Sequence, residues 1–106
     1  MKEIIQALRD FRDERDWKQF HNPKDLSLAL SIEASELLEA FLWKAPEDAD
    51  LNKVKEELAD VFAYSFLLAD AYGLDVKQIV MEKIEQNRQK YPADKARGTA
   101  KKYTEL

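Results

Sequence analysis

The chain has 106 residues, 45% of them apolar, with 21 acids against 17 bases and a net charge of -4. Two glycines, three prolines and no cysteine exclude a disulfide scaffold and point to long helices with short connections, in a reducing, cytoplasmic setting. No run approaches the ~18 uncharged apolar residues of a membrane span, and the N-terminal Met1-Lys2-Glu3-Ile4-Ile5-Gln6 has no uninterrupted apolar segment, so no signal peptide is expected. The length is that of one domain, expected over 1–106.

In chain order, residues 2–16 read as an amphipathic helix with Ile4, Ile5, Leu8 and Phe11 on one stripe. Asp16 to Pro23 has no helical period and is dense in aromatics. Asn22 before Pro23 reads as a cap followed by proline in the first turn. His21 is the only histidine, which argues against the paired Glu-x-x-His sites of di-iron bundles. By pattern alone it is either a surface loop residue or a ligand contact.

The second helix is expected from Pro23 or Leu26 to Trp43, with Leu26, Leu30, Leu37 and Phe41 as its core stripe. Glu33, Glu36, Ala40 and Trp43 follow at steps of three or four, so the acids and Trp43 would share a face. Glu39 lies beside them, as a ligand or an outer group. Lys44 to Asp48 breaks the helix. The third runs from about Asp50 to Tyr72, on an inner stripe of Leu51, Val54, Leu58, Val61, Ser65, Leu68 and Tyr72. From Leu58 to Ala71 it is apolar nearly all round, which implies a subunit interface. Asp70 in that stretch has no role beyond an interface hydrogen bond. Gly73 ends the helix. Asp75 caps a fourth, running to about Lys90 with Val76, Ile79, Val80 and Ile84 inward. Lys83, Asn87 and Tyr91 share one edge, and Pro92 closes the helix. Residues 93–106 read as an extended basic arm.

Two carboxylate pairs dominate this layout. Glu33-Ala34-Ser35-Glu36 and Glu57-Leu58-Ala59-Asp60 each place two acids on one helix face. Both lie in apolar runs, where a carboxylate is costly without a partner. A hard divalent cation such as Mg²⁺ is the simplest stabiliser. Glu56 competes with Glu57, since it also faces Asp60, one turn on. The bland alternative is ordinary surface charge on a helical oligomerisation module. Residues 33–60 carry nine acids against three bases, and residues 83–103 carry seven bases against two acids. A metal-loaded acidic centre beside a basic segment would attract phosphates. No Gly-rich phosphate loop or nucleophile elbow is present.

Several of these segments carry a family likeness: Glu14-Arg15-Asp16-Trp17, Phe20-His21-x-Pro23, Glu33-x-x-Glu36-Leu37, Trp43-Lys44, Glu56-Glu57-Leu58-x-Asp60-Val61, Asn87-Arg88-x-x-Tyr91-Pro92-Ala93 and Lys102-Tyr103-Thr104-Glu105-Leu106. Over nearly its whole length the chain resembles the all-α nucleoside triphosphate pyrophosphohydrolases of the MazG-like superfamily, and within it the dCTP pyrophosphatase branch. One departure is Leu8, where relatives carry a histidine. The resemblance implies an all-α, four-helix bundle-like MazG fold in a homodimer or tetramer, with sites at subunit boundaries. It implies Mg²⁺-dependent hydrolysis of a nucleoside triphosphate to monophosphate and pyrophosphate, with Glu33, Glu36, Glu57 and Asp60 as catalytic metal ligands. Lys83, Asn87, Arg88 and Tyr91 would hold phosphate or sugar. Trp17, His21, Trp43 and Tyr64 would surround the base, with cytosine, bare or 5-substituted, expected and another base or dUTP as the alternative. No membrane or nucleic-acid polymer is expected as a partner.

Overall fold

A computed structural model describes all residues, 1–106. It is helical throughout, with no strand, in two compact units, Met1–Leu74 and Asp75–Leu106.

The first unit holds α1 (Lys2–Glu14), α2 (Pro23–Glu39) and α3 (Leu51–Ala71), with single 3₁₀ turns at Lys18–Phe20 and Pro46–Asp48. α2 packs along α3, and α1 lies against α3. The starts follow the capping chemistry. Asn22 Oδ1 accepts from the Asp25 backbone N–H at 2.9 Å, with Pro23 in the first turn. Asp50 does the same for α3 through Asn52 at 2.9 Å. Each satisfies a donor that the helix itself cannot. Gly73, at φ +66°, closes α3, with its N–H on Asp70 and that of Leu74 on Ala69.

α1 ends with the same motif without a glycine. Asp16 takes φ 54°, its N–H bonds Asp13, and that of Trp17 bonds Arg12. The turn throws Trp17 back edge-on against Phe11, ring centroids 5.7 Å apart. Arg9 and Arg12 tie α1 to α3 through Asp70. Arg9 Nε lies 3.0 and 3.1 Å from the two Asp70 oxygens, its Nη2 also bonds Oδ1, and Arg12 Nη1 stands 3.7 Å from Oδ2. Asp70 therefore joins two helices within one chain, and the Arg9 hydrogen bonds hold its carboxyl below the usual range.

Leu26 is the anchor of α2, only 2% exposed, with Leu30, Leu37 and Phe41 half-buried. The helix stops at Glu39, four residues short of the expected end. Residues 40–43 turn instead, and Trp43 takes φ 60° and is 95% exposed. The expectation that Trp43 shares a helix face with Glu33 and Glu36 is thereby overturned. On α3, Val54, Val61, Ser65 and Leu68 are half-buried, whereas Leu51, Leu58 and Tyr72 are exposed.

The second unit holds α4 (Val76–Lys90), the four-residue α5 (Ala93–Ala96) and a 3₁₀ turn at Tyr103–Glu105. Asp75 Oδ1 caps α4 through Gln78 N–H at 2.9 Å. Of its expected inward residues only Val76 is half-buried; Ile79, Val80 and Ile84 are exposed. Residues 93–106 are not an extended arm. Pro92 starts α5, and the chain returns so that Tyr103 packs edge-on against Tyr91 at 6.0 Å. Lys90 Nζ sits 5.1 Å from the Tyr103 ring, a cation–π contact.

Candidate functional site

Glu33 and Glu36, one turn apart on α2, meet Glu57 of α3. One carboxylate oxygen from each lies within 4.8 Å of the others. Glu57 is 5% exposed, and the α2 pair is half-buried. Lys53, one turn earlier on α3, donates to Glu57 Oε1 at 2.7 Å. That hydrogen bond holds the Glu57 carboxyl below its ordinary value. Burial, then the neighbouring Glu36 and the charges of Asp60 and Glu57, push Glu33 up to about 7. Oε2 of Glu33 and Oε2 of Glu57 are both buried without a hydrogen-bond partner. Buried polar atoms are nearly always satisfied, so two orphaned carboxylate oxygens in one acid cluster suit a hard cation as a missing partner. The residues fit a divalent metal on this ground.

Asp60, one turn beyond Glu57, is exposed and falls outside the group of three, although its charge reaches Glu33. Glu56 and Glu39 are exposed, and neither joins the group. Lys53 was not singled out from sequence, though its i, i+4 spacing to Glu57 was a usable signal.

Asp60 also lines a cavity of about 120 Å³ between α1 and α3, with Trp17, His21, Tyr64, Leu8 and Arg12. Three of the four expected base-contact residues thus converge; Trp43 does not. The terminal turn of α1 delivers Trp17, and the loop before α2 delivers His21. Burial first, then the charges of Glu33, Asp60 and Glu36, push the Tyr64 phenol up, keeping it protonated. Burial and the charge of Arg12 push His21 down. His21 Nδ1 is buried without a partner.

The remaining expected residues lie in the second unit. Lys83 and Asn87 border an open hollow of about 560 Å³ beside Ile79, Val80 and Ile84. Arg88 Nη1 pairs with Glu85 at 3.2 Å, and Tyr91 is engaged with Tyr103.

The chain is all-helical, with an acid cluster shared by two packed helices that is compatible with a divalent metal. Residues 28–106 match the model of the MazG-like family, and the chain belongs to that family. It is 40% identical over 114 residues to dCTP pyrophosphatase 1 of Mus musculus, covering all of this chain and 67% of that protein. The human protein of the same name is 39% identical with the same coverage. A solved pyrophosphatase from Archaeoglobus fulgidus superposes with a TM-score of 0.81 at 39% identity, over 87% of this chain and 92% of that one.

Proposed function

We propose that this protein hydrolyses a nucleoside triphosphate, dCTP or a 5-substituted dCTP, to the monophosphate and pyrophosphate, with Mg²⁺ held at the acid cluster. The orphaned buried oxygens of Glu33 and Glu57 beside Glu36 carry the reading. Membership of the MazG-like family and the names of the dCTP pyrophosphatase relatives support it.

Glu33, Glu36, Glu57 and Asp60 would be the ligands. Bound there, the metal would neutralise the substrate phosphates and lower the pKa of the water that cleaves the anhydride. Lys53 keeps Glu57 ionised and fixed. Trp17 would stack on the base, His21 would stand neutral beside it, and Tyr64 would donate a hydrogen bond. Stacking is worth roughly 1–3 kcal/mol and tolerates every base, so cytosine preference rests on hydrogen bonds to the base edge. The exposed Trp43 ring is free to cover a base. Lys83, Asn87, Arg88 and Tyr91 would hold phosphate or sugar.

The family match runs through both compact units, which supports reading 1–106 as one domain. A homodimer or tetramer fits the open apolar hollow of about 510 Å³ bordered by Ile4, Leu8, Phe62 and Phe66. Residues at the mouth of such a hollow, Phe62 at 51% exposure among them, are uncovered in the single chain. No helix is long and apolar enough to cross a membrane, which accords with a cytoplasmic enzyme.

The test is a panel of deoxy- and ribonucleoside triphosphates with Mg²⁺, scored for pyrophosphate against orthophosphate. Pyrophosphate released fastest from dCTP, and stopped by EDTA, is expected. Orthophosphate as first product would overturn the cleavage position. Faster turnover of dUTP would overturn the base, and no turnover at all would favour an oligomerisation module.

A further inference from the structure

A second cavity opens on the first unit, about 440 Å³, lined by Arg9, Arg12, Lys18, His21 and Asp70 among others. None of its lining residues belongs to the acid cluster. Its charges are unequally spent. Asp70 is the only carboxylate on the wall, and Arg9 occupies both of its oxygens. Arg12 is 8% exposed, yet its one side-chain hydrogen bond is from Nε to Asp13, at 2.8 Å. Its Nη1 is 3.7 Å from Asp70, too far for a second. Lys18 has no ion-pair partner. A nearly buried guanidinium with unused N–H donors, a free ammonium and an imidazole therefore face one hollow. The cations Arg9, Arg12 and Lys18 meet Asp70 on the wall and Asp13 at the Arg12 Nε, leaving a positive balance. The unpartnered Nη donors of Arg12 are not sealed from solvent, so an anion can reach them from the hollow. A guanidinium fork beside an ammonium matches the several oxygens of a phosphate group better than a single carboxylate.

We propose that this basic cavity binds a dianionic phosphate group, as free orthophosphate or as a phosphomonoester, at a place separate from the acid cluster. The inference stands apart from the proposed hydrolysis, because it needs neither metal nor turnover. Without metal the acid cluster repels phosphate, and a probe on the wall of the basic cavity, His21, reports binding there rather than at Lys83 or Arg88.

The sole histidine makes the test direct. The ring signals of His21 are followed by NMR in the metal-free, full-length protein at fixed pH. One arm adds orthophosphate, a second adds ribose 5-phosphate, which carries no base, and a third adds chloride at matched ionic strength. A saturable shift with phosphate and none with chloride is expected. The arm that saturates at lower concentration identifies the natural form of the ligand. Lys18→Ala, at an exposed position, is expected to weaken binding by about tenfold, the loss of one charge-assisted contact. Arg12→Lys should weaken it further by removing the fork. Should Arg12→Lys not fold, the wild-type and Lys18→Ala titrations still decide. No saturable shift, a shift reproduced by chloride, or equal affinity in Lys18→Ala would overturn the proposal.

Discussion

Glu57 is a buried carboxylate and Glu33 a half-buried one, and their surroundings push them in opposite directions. Lys53 keeps Glu57 charged, whereas burial and nearby acids raise Glu33 to about 7. If the three acids hold a metal, Glu33→Gln, Glu36→Gln and Glu57→Gln should each lower kcat by about a hundredfold or more, with helical circular dichroism retained. Even outer-shell partners of a metal typically cost 10- to 100-fold. Glu56→Gln should stay near wild type; the reverse pattern would show that the cluster is not the site. Glu33 and His21 act in opposite directions in one pH range: His21, pushed down, adds stability as pH rises through its ordinary 6.5. The folded value of Glu33 lies above the ordinary 4.5, so the folded state binds this proton more tightly than the unfolded chain. That contribution is full below about 4.5 and is lost as pH rises through about 7. In metal-free protein, the melting temperature at pH 5.5 minus that at pH 8 should therefore be smaller in Glu33→Gln than in wild type, because the variant lacks this proton; an equal difference would remove Glu33 from the account. Glu57 and Asp70 are shifted downward and act at lower pH, outside this window.

At the scale of helices, the starts were legible in the sequence and one end was not. Asn22, Asp50 and Asp75 sit at the three caps because a short oxygen-bearing side chain can reach back to a free N–H. Asn22→Ala should cost about 1 kcal/mol in urea unfolding; no loss would mean that the Asp25 contact is idle. The acid pairs were legible for a related reason, since i, i+3 spacing fixes a shared face wherever the helix lies. The end of α2 was hidden because no glycine or proline marks Glu39, and Trp43 supplies the left-handed residue itself. The Arg9–Arg12–Asp70 tie was illegible because its partners are some sixty positions apart in sequence, 61 for Arg9 and Asp70, and meet only in the packed structure. A left-handed backbone costs a non-glycine residue roughly 1–2 kcal/mol, and Trp43 recovers none of it by burial in this chain. Trp43→Asn should leave thermal stability equal or higher. Its kcat/KM for dCTP should fall about tenfold, the scale of one stacking contact. Unchanged kcat/KM would remove Trp43 from the base contacts.

Taken whole, the single chain is short of core. Leu26, Ala40, Leu67 and Ala69 are its only buried apolar residues, two of them alanines, while Phe62, Val80, Met81 and Ile84 face outward. The sequence showed the apolar excess of α3 but could not show that the inward stripe of α4 would be bare, because periodicity marks a face and not what covers it. If copies of the chain supply the cover, folding and association are one equilibrium. The melting temperature should then rise by several degrees for each tenfold increase in protein concentration. A concentration-independent value, with a monomer by light scattering, would refute the association.

If copies supply the cover, the same scarcity of core would tie the lifetime of the protein to its abundance. A chain that is stable only in company exposes its apolar helices when dilute. Proteases cleave in proportion to the open population. Scarce copies would be cleared and plentiful ones spared, so a cell making this protein would hold either very little of it or a stable store.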